Sequence, residues 1–349
     1  MSIISQSPAN QPPPLDFEEP PKSADEIPLE RHGSLLLLAA RAAGATLFAS
    51  GHPLPPLPVF PDLALVFSHF LGSQDNLDEV AFGQPQALYD SLLALTVYAT
   101  QQPIAAPSTE VEFKDLILRL TACTARQSHA IVRQLPATIV HSHPSVATRY
   151  KLIRTILEDD SLRSVRDSAI GWLKDETLGQ PSGSSHETNI FHEPLHFWVL
   201  FPLLFSPVKA ATSAGLVDGW IRLTQTDGPP LHSALNLYYL LLSSPEKQHL
   251  DLEKTVLFFQ NQVSKPHREL FRTFEADLTA NGGDGLIEGA VGEEMCQIGI
   301  ARSAGLIGLT LDQIEEVIGD AFDLSELKTY SEADEARAAE IRRETGTWS

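Results

Sequence analysis

The sequence predicts an all-α protein, a helical repeat solenoid of the HEAT or armadillo kind, and three observations predict it. From Ser34 onward nearly every apolar segment has helical periodicity. No segment shows the alternation of a β-strand or a βαβ rhythm. Hairpins of two helices recur about every 35–45 residues, and a single hairpin cannot bury its apolar face alone. Stacked hairpins are therefore predicted, with a large irregular helical bundle as the alternative.

Residues 1–30 are predicted to form a disordered, proline-rich tail. The segment contains seven prolines and scattered acidic residues, with almost no apolar periodicity. It cannot bury enough apolar surface to offset the entropy lost on ordering. An alternative interpretation of Pro12-Pro13-Pro14 is a ligand for an SH3-type groove, although most such tails are spacers.

The predicted repeat domain extends over residues 31–330 and begins with helices rich in leucine and alanine. Leu35–Ala49 is the first, and five prolines between Pro53 and Pro61 exclude regular structure directly after it. The following helices are predicted at about 62–72, 85–102, 109–126 and 128–140.

The clearest unit is an antiparallel helical hairpin over residues 144–178. Pro144 is expected in the first turn of its first helix. Asp159-Asp160-Ser161 then supplies a short connector with capping oxygens. The apolar positions are Val146, Tyr150, Ile153 and Leu157 in the first helix, and Leu162, Val165, Ala169, Trp172 and Leu173 in the second.

The helical signal continues after a polar loop, where a sub-boundary of the repeat domain is predicted near residues 180–189. A glycine-rich break at Asn281–Gly285 precedes the last two predicted helices. Residues 331–349 are set apart as an acidic C-terminal tail. Helices are predicted at about 194–206, 208–224, 230–243, 251–264, 267–280, 288–304 and 310–322.

The charge balance excludes two classes of partner. The 349 residues include 25 Lys and Arg against 45 Asp and Glu, a formal net charge of −20. Sequence-tolerant binding of nucleic acid depends on cations that neutralise phosphates, and an anionic lipid surface repels an acidic protein. The sequence therefore predicts neither a nucleic acid nor a membrane as partner.

The cysteines and the apolar segments predict a reducing compartment. Cys123 and Cys296 are too few for a disulfide framework or a cysteine-rich zinc module. The N-terminus lacks the basic and apolar regions of a signal peptide. The most apolar stretches, Ser34–Ala49 and Leu195–Phe205, are too short to span a bilayer. We expect the cytoplasm, with the nucleus as a second location.

His192-Glu193-Pro194-Leu195-His196 matches the H-E-x-x-H pattern of zinc proteases. That pattern requires one continuous helix to carry two imidazole ligands and the general base. Pro194 disfavours helical geometry at Glu193 and is expected to begin a helix instead. No third ligand follows at the usual spacing, and Asp218 is the only nearby substitute. A zinc metalloprotease is therefore only a remote alternative, and no metal site is predicted.

The other candidate residues are predicted to be structural. His141 and His143 are expected as an exposed pair at a helix end, Cys123 as a core residue and Cys296 as an unreactive thiol. The serine-rich loop at 179–187 lacks a G-x-S-x-G pattern. Three aromatic runs are predicted as core, with an interaction groove as the alternative: Tyr238-Tyr239, Phe258-Phe259 and Phe197-Trp198. No catalytic or cofactor-binding constellation is present, so the sequence predicts a non-enzymatic protein that presents a long surface to other proteins.

The stretch His141–Leu178 resembles the YAP-binding/glomulin family of fungal YAP-binding proteins, plant lateral-root-formation proteins and animal glomulin. The resemblance rests on His143-Pro144 leading the helix Arg149-Tyr150-Lys151-Leu152-Ile153, and on the run Val165–Glu176 with its phrase AIGWLKDE. It covers about a tenth of the chain closely, and the remainder agrees in being helical and weakly repetitive.

The resemblance implies a HEAT-like protein without enzymatic activity. Glomulin-like members bind the RING-box subunit of cullin-RING ubiquitin ligases through C-terminal helices and block recruitment of the conjugating enzyme. Fungal YAP-binding members support oxidative activation of an AP-1-like transcription factor, and one branch acts at kinetochores. We expect regulation of a cullin-RING ligase, since an acidic C-terminal region complements a basic partner face, with the AP-1-like adaptor as the alternative. No short family motif allows contact residues to be assigned in this sequence, so the resemblance predicts no particular interaction surface.

Overall fold

The protein is helical throughout the residues that its structure, a computed structural model, describes. These are residues 31–48, 55–72, 77–125, 127–179, 189–208 and 215–346. No strand occurs among them, and the predicted all-α helical repeat class is confirmed. Contacts between residues divide the chain into two compact units, one that ends at Pro144 and one that begins at Ser145. The predicted tail 1–30 with Pro12-Pro13-Pro14, and residues 180–188 of the predicted sub-boundary, lie outside the described residues.

The first unit is built around two central helices. Its described helices are α1 (Arg31–Phe48), α2 (Ala64–Leu71), α3 (Leu77–Phe82), α4 (Gln86–Thr100), α5 (Glu110–Thr124), α6 (Ala130–Arg133) and α7 (Leu135–Ser142). Helix α4 packs against α1 and α7, while α5 packs against α2, α3 and α7. Leu35, Phe67 and Phe113 are fully buried in this core. As the prolines predict, residues 55–58 are irregular, and a distorted turn at Val59–Leu63 leads into α2.

The second unit contains twelve described helices, several of which are joined by 3₁₀ or π-helical turns. Its helices are α8 (Val146–Glu158), α9 (Arg166–Leu178), α10 (Pro194–Leu200), α11 (Leu216–Arg222), α12 (Gly228–Ser243), α13 (Glu246–His249), α14 (Val256–Phe258), α15 (Lys265–Asp277), α16 (Leu286–Val291), α17 (Glu293–Gly299), α18 (Leu306–Ala321) and α19 (Glu332–Glu344). π-Helical turns join α11 to α12, α14 to α15 and α17 to α18. The predicted glycine break is confirmed, because Gly282 and Gly285 adopt left-handed backbone conformations with φ of 80° and 63°.

The predicted hairpin of α8 and α9 is present, with one correction at its start. Helix α8 begins after Ser145, whose Oγ accepts a hydrogen bond from the N–H of Thr148 at 3.2 Å. Pro144 therefore lies outside the helix, and its predicted place in the first turn is wrong, because a serine oxygen caps the helix instead. The connector behaves as predicted, since Asp159 Oδ1 accepts from the N–H of Ser161 at 2.8 Å.

Helix α9 lies between two neighbours, which explains its apolar residues on opposite sides. It packs against α8 on one side and α12 on another, and α12 in turn packs against α18. Ile170 and Trp172, which point about 200° apart on an α-helix, are both buried. This succession of packed helices is the stacking expected of helical repeats.

Residues 332–344 form helix α19, an element that the sequence analysis does not predict within the acidic segment 331–349. Ser331 Oγ accepts from the N–H of Asp334 at 3.2 Å, and Asp334 Oδ2 accepts from the N–H of Ser331 at 3.0 Å. This reciprocal capping box defines the start of the helix. Ala338 and Ile341 are buried, and α19 packs against α10.

Candidate interaction surfaces

The two histidines of the H-E-x-x-H pattern do not lie on one helix. Helix α10 begins at Pro194, as predicted, with Glu193 at its N-cap position, whereas His192 belongs to the preceding 3₁₀ turn. His196 Nδ1 lies 2.8 Å from Glu193 Oε2, and His192 Nδ1 lies 3.7 Å from Glu246 Oε2. Each imidazole therefore faces a different carboxylate, and this segment lacks the continuous helical geometry that the zinc proteases use.

The remaining metal-ligand candidates occupy structural positions. His141 is exposed at the end of α7, as predicted. His143 is only partly exposed, because its ring packs against Phe113 with centroids 4.6 Å apart, so the prediction of an exposed pair is wrong for His143. Among the described residues, no group of three His, Cys, Asp or Glu side chains is arranged to hold a metal ion. The serine-rich loop at 179–187 lies outside the described residues, apart from Gly179.

Both cysteines are buried, and their thiols are held in the neutral form. Burial raises the pKa of Cys123 to about 12. The pKa of Cys296 is also raised, by burial first and then by the negative charges of Glu288 and Asp277. The thiolate is the reactive species, so the predictions of a core Cys123 and an unreactive Cys296 agree with the structure.

We expect both thiols of the folded protein to react slowly with iodoacetamide at pH 8. The raised pKa of Cys123 leaves a thiolate fraction at least about 100-fold below that of a cysteine in an unfolded chain. Mass spectrometry of timed samples measures the rate at Cys123 and Cys296, and the chain in urea is the control. Rapid modification of either cysteine in the folded protein would contradict the structure.

Two of the three aromatic runs have one buried and one partly buried ring, and in the third run both rings are buried. Tyr238 and Phe259 are fully buried with centroids 4.9 Å apart, and Tyr239 and Phe258 are only partly buried. Phe197 and Trp198 are both buried. The predicted core role is therefore confirmed for most of these rings.

A polar cavity of about 240 Å³ lies between the start of α9, the region of α11 and α15. Arg166 Nη1 donates to Ser206 Oγ at 2.6 Å, and Arg222 Nε lies 3.4 Å from Asp227 Oδ2. Burial lowers the pKa of His267, whose Nδ1 is 2.7 Å from the carbonyl oxygen of Val263. These polar groups are engaged with protein neighbours, apart from the Nε of Arg166, which is buried without a hydrogen-bond partner in the described part of the chain.

A groove of about 420 Å³ lies between α15 and the segment from Ile300 to Asp312, and Arg272 and Glu275 are among the charged residues that line it together with apolar ones. Small residues, Gly305 and Gly308, keep the two sides open, and Leu309 lines the groove while 56% of its surface is exposed. Arg268 lines the groove and links α15 to α18, because its Nη2 pairs with Asp312 Oδ1 at 2.7 Å and Glu315 Oε2 at 2.9 Å. Leu306 on α18, and Met295 and Ile298 on the preceding helix α17, are further exposed apolar side chains.

The helices that carry these exposed side chains are strongly acidic. Between residues 286 and 321 only Arg302 is basic. The acidic residues in the same interval are Glu288, Glu293, Glu294, Asp312, Glu315, Glu316 and Asp320. Exposed apolar side chains on helices rich in carboxylates suit a partner that presents basic groups beside an apolar face. We call Met295, Ile298, Leu306 and Leu309 the C-terminal apolar surface.

The fold and these surfaces define a class, a helical repeat protein with exposed apolar side chains suited to contact with other proteins. None of the described helices is long and apolar enough to cross a membrane.

The chain belongs to the YAP/Alf4/glomulin family, described as an uncharacterised protein family, whose sequence model matches residues 1–314. The resemblance found in His141–Leu178 is thereby confirmed. This family is not a known enzyme family. No curated protein and no solved structure matches the chain.

Proposed function

We propose that this chain is a non-enzymatic interaction protein that regulates a cullin-RING ubiquitin ligase by binding its RING-box subunit. The observation that carries the proposal is the C-terminal apolar surface, which lies in the last helices covered by the family match. Glomulin-like proteins use C-terminal helices for this contact, so the position of the surface in the chain supports the assignment.

The chemistry of the surface supports binding to a protein rather than catalysis. Leu309 and Met295 expose more than half of their surface, an arrangement that becomes favourable when a partner covers it. The surrounding carboxylates accelerate association with a basic partner and contribute less to the lifetime of the complex. We therefore expect an association rate that falls as salt is added.

We expect Leu309→Glu to weaken binding to a purified RING-box–cullin complex by about 10-fold or more, because it places a charge at the centre of an apolar contact. Surface plasmon resonance measures the affinity, and discharge of ubiquitin from its conjugating enzyme measures the inhibition. Leu37→Glu is the matched control, since Leu37 lies in the first unit and is 55% exposed.

Equal binding by wild type and Leu309→Glu would remove the C-terminal apolar surface from the proposal. Failure of the wild-type chain to bind any RING-box–cullin complex would refute the function itself. Peroxide-dependent capture of an AP-1-like transcription factor in its place would favour the adaptor alternative, for which the buried thiols of Cys123 and Cys296 provide no support.

A further inference from the structure

Helix α19 covers a surface with the composition of a binding site for another helix. We propose that this surface, which we call the α19 platform and which consists of Arg154, Trp198, Lys254 and Phe258, binds acidic amphipathic helices. Helix α19 occupies the platform within the chain, and a helix of the same chemistry from a partner protein displaces it. The inference does not depend on the proposed RING-box partner.

Two polar side chains of the platform hold opposite ends of α19. Near its start, Trp198 Nε1 donates a hydrogen bond to Glu335 Oε1 at 2.9 Å. Near its end, Arg154 Nη1 donates to the carbonyl oxygen of Arg342 and to Thr345 Oγ1, each at 2.7 Å. A cation at the C-terminal carbonyls also complements the helix dipole. The platform therefore recognises both the orientation of a helix and an acidic residue in its first turns.

Aromatic and cationic groups add the apolar part of the contact. Tyr330 stacks on Trp198 with ring centroids 4.4 Å apart, and Phe258 meets Trp198 edge-on at 5.7 Å. Lys254 Nζ lies 5.1 Å from the centroid of Tyr330 and 3.8 Å from Asp334 Oδ2. Tryptophan, tyrosine and arginine are the side chains that dominate protein interfaces. Arg154 also pairs with Glu158 at 3.2 Å, and Lys254 also pairs with Asp251 at 3.1 Å. The preference for an acidic helix therefore depends on the contacts that Lys254 and Trp198 make with carboxylates of α19.

Helix α19 makes a narrow apolar contact with the platform and does not satisfy all of its hydrogen-bonding groups. Only Ala338 and Ile341 of this helix are buried, so its apolar contact is narrow. In the described part of the chain, the Nε of Arg154 is a platform atom that is buried without a hydrogen-bond partner. A buried donor without an acceptor is unfavourable, so a competing helix that supplies an acceptor to Arg154 Nε gains affinity over α19.

The family match separates the platform from its occupant. Arg154, Trp198, Lys254 and Phe258 lie within the matched residues 1–314, whereas α19 follows them. The platform therefore lies within the matched residues, and α19 lies outside them. Tethering keeps α19 at a high effective concentration, about millimolar for a short linker, so a free helix competes only when α19 is weakened or the competitor binds better.

The experiment uses the full chain and a fluorescent peptide of residues 328–346. Ile341→Asp weakens the internal contact, because it buries a charge beneath α19. We expect this variant to bind the peptide at least about 10-fold more tightly than the wild-type chain, measured by fluorescence anisotropy. Ala339→Asp is the matched control, since Ala339 is exposed on the same helix, and it should bind as weakly as wild type.

Further variants locate the site and test the chemistry of the partner. Adding Arg154→Met to the Ile341→Asp variant should lower its affinity for the peptide by about 10-fold if the platform is the binding site. A second peptide keeps residues 330, 334, 335, 338, 341 and 345 and changes its exposed positions, and it should bind within about threefold of the first. If only the natural peptide binds and the altered peptide does not, the proposal of a partner helix is overturned. The platform would then be only the internal contact site of α19.

A folded Ile341→Asp variant that binds no peptide overturns the proposal. If this variant unfolds, as judged by circular dichroism, a protease site inserted between Asp323 and Leu324 of the wild-type chain takes its place. After cleavage, the labelled peptide should exchange with the released helix. Absence of exchange would overturn the proposal equally well.

Discussion

Replacement of Trp172 by alanine is expected to lower the free energy of unfolding of the second unit by about 3–5 kcal/mol, the cost of emptying a large buried site. Trp172 is 3% exposed in α9, which packs against both α8 and α12. Ile170 faces the other side of α9 and is equally buried, so Ile170→Ala should cost about 2–5 kcal/mol. Large losses at both positions are the signature of a helix packed on two sides.

Urea unfolding followed by tryptophan fluorescence measures this effect in the correct unit. All four tryptophans lie after residue 145, and Trp198 and Trp220 still report when Trp172 is removed. Leu178→Ala is the control on the same helix, because Leu178 is 37% exposed and should cost about 1 kcal/mol or less. A small loss at Trp172 or at Ile170 would contradict packing on both faces of α9.

Arg149→Met is expected to lower the free energy of unfolding by about 3 kcal/mol, because it removes the cation from a buried ion pair. Arg149 Nε lies 2.7 Å from Glu176 Oε1, and its Nη2 donates to Glu176 Oε2 at 3.0 Å. The two side chains are 13% and 6% exposed, so water screens this bidentate pair only weakly. The pair joins α8 to α9 within the segment that carries the family resemblance.

Two further variants separate charge from geometry in this pair. Arg149→Lys keeps the charge but loses the planar fork, so an intermediate loss is expected. The double variant Arg149→Met with Glu176→Leu should recover part of the stability, since apolar residues replace a buried pair at little cost. Urea unfolding measures all three. If Arg149→Met left the free energy of unfolding unchanged, the pair would not stabilise the hairpin.

Local sequence was sufficient to predict most helices and several of their boundaries. Thr109 caps α5, Pro194 begins α10 and Asp159 caps the connector of the hairpin, all from side chains within three residues of the boundary. Pro144 shows the limit of this reasoning. A proline and a serine in sequence both fit a helix start, and the hydrogen bond of Ser145 decides between them.

Helix α19 was missed although its signals are present in the sequence. Ser331 and Asp334 form a capping box, and Ala, Glu and Arg after them favour a helix. The high charge of this segment suggested a solvated tail. What the sequence did not reveal is the pairing of Glu335 with Trp198, residues that are 137 positions apart. The sequence did not predict the C-terminal apolar surface either, because periodicity identifies an apolar face without showing whether a neighbouring helix covers it.

By itself the sequence determined the all-α class, the hairpin of α8 and α9, the family and the absence of a protease helix at His192–His196, because each depends on periodicity or on neighbouring residues. Only the tertiary structure decided that Ile170 and Trp172 are both buried, that Leu309 borders an open groove and that α19 rests on Trp198. These features depend on contacts between residues far apart in the chain, and such contacts leave no local periodicity to read.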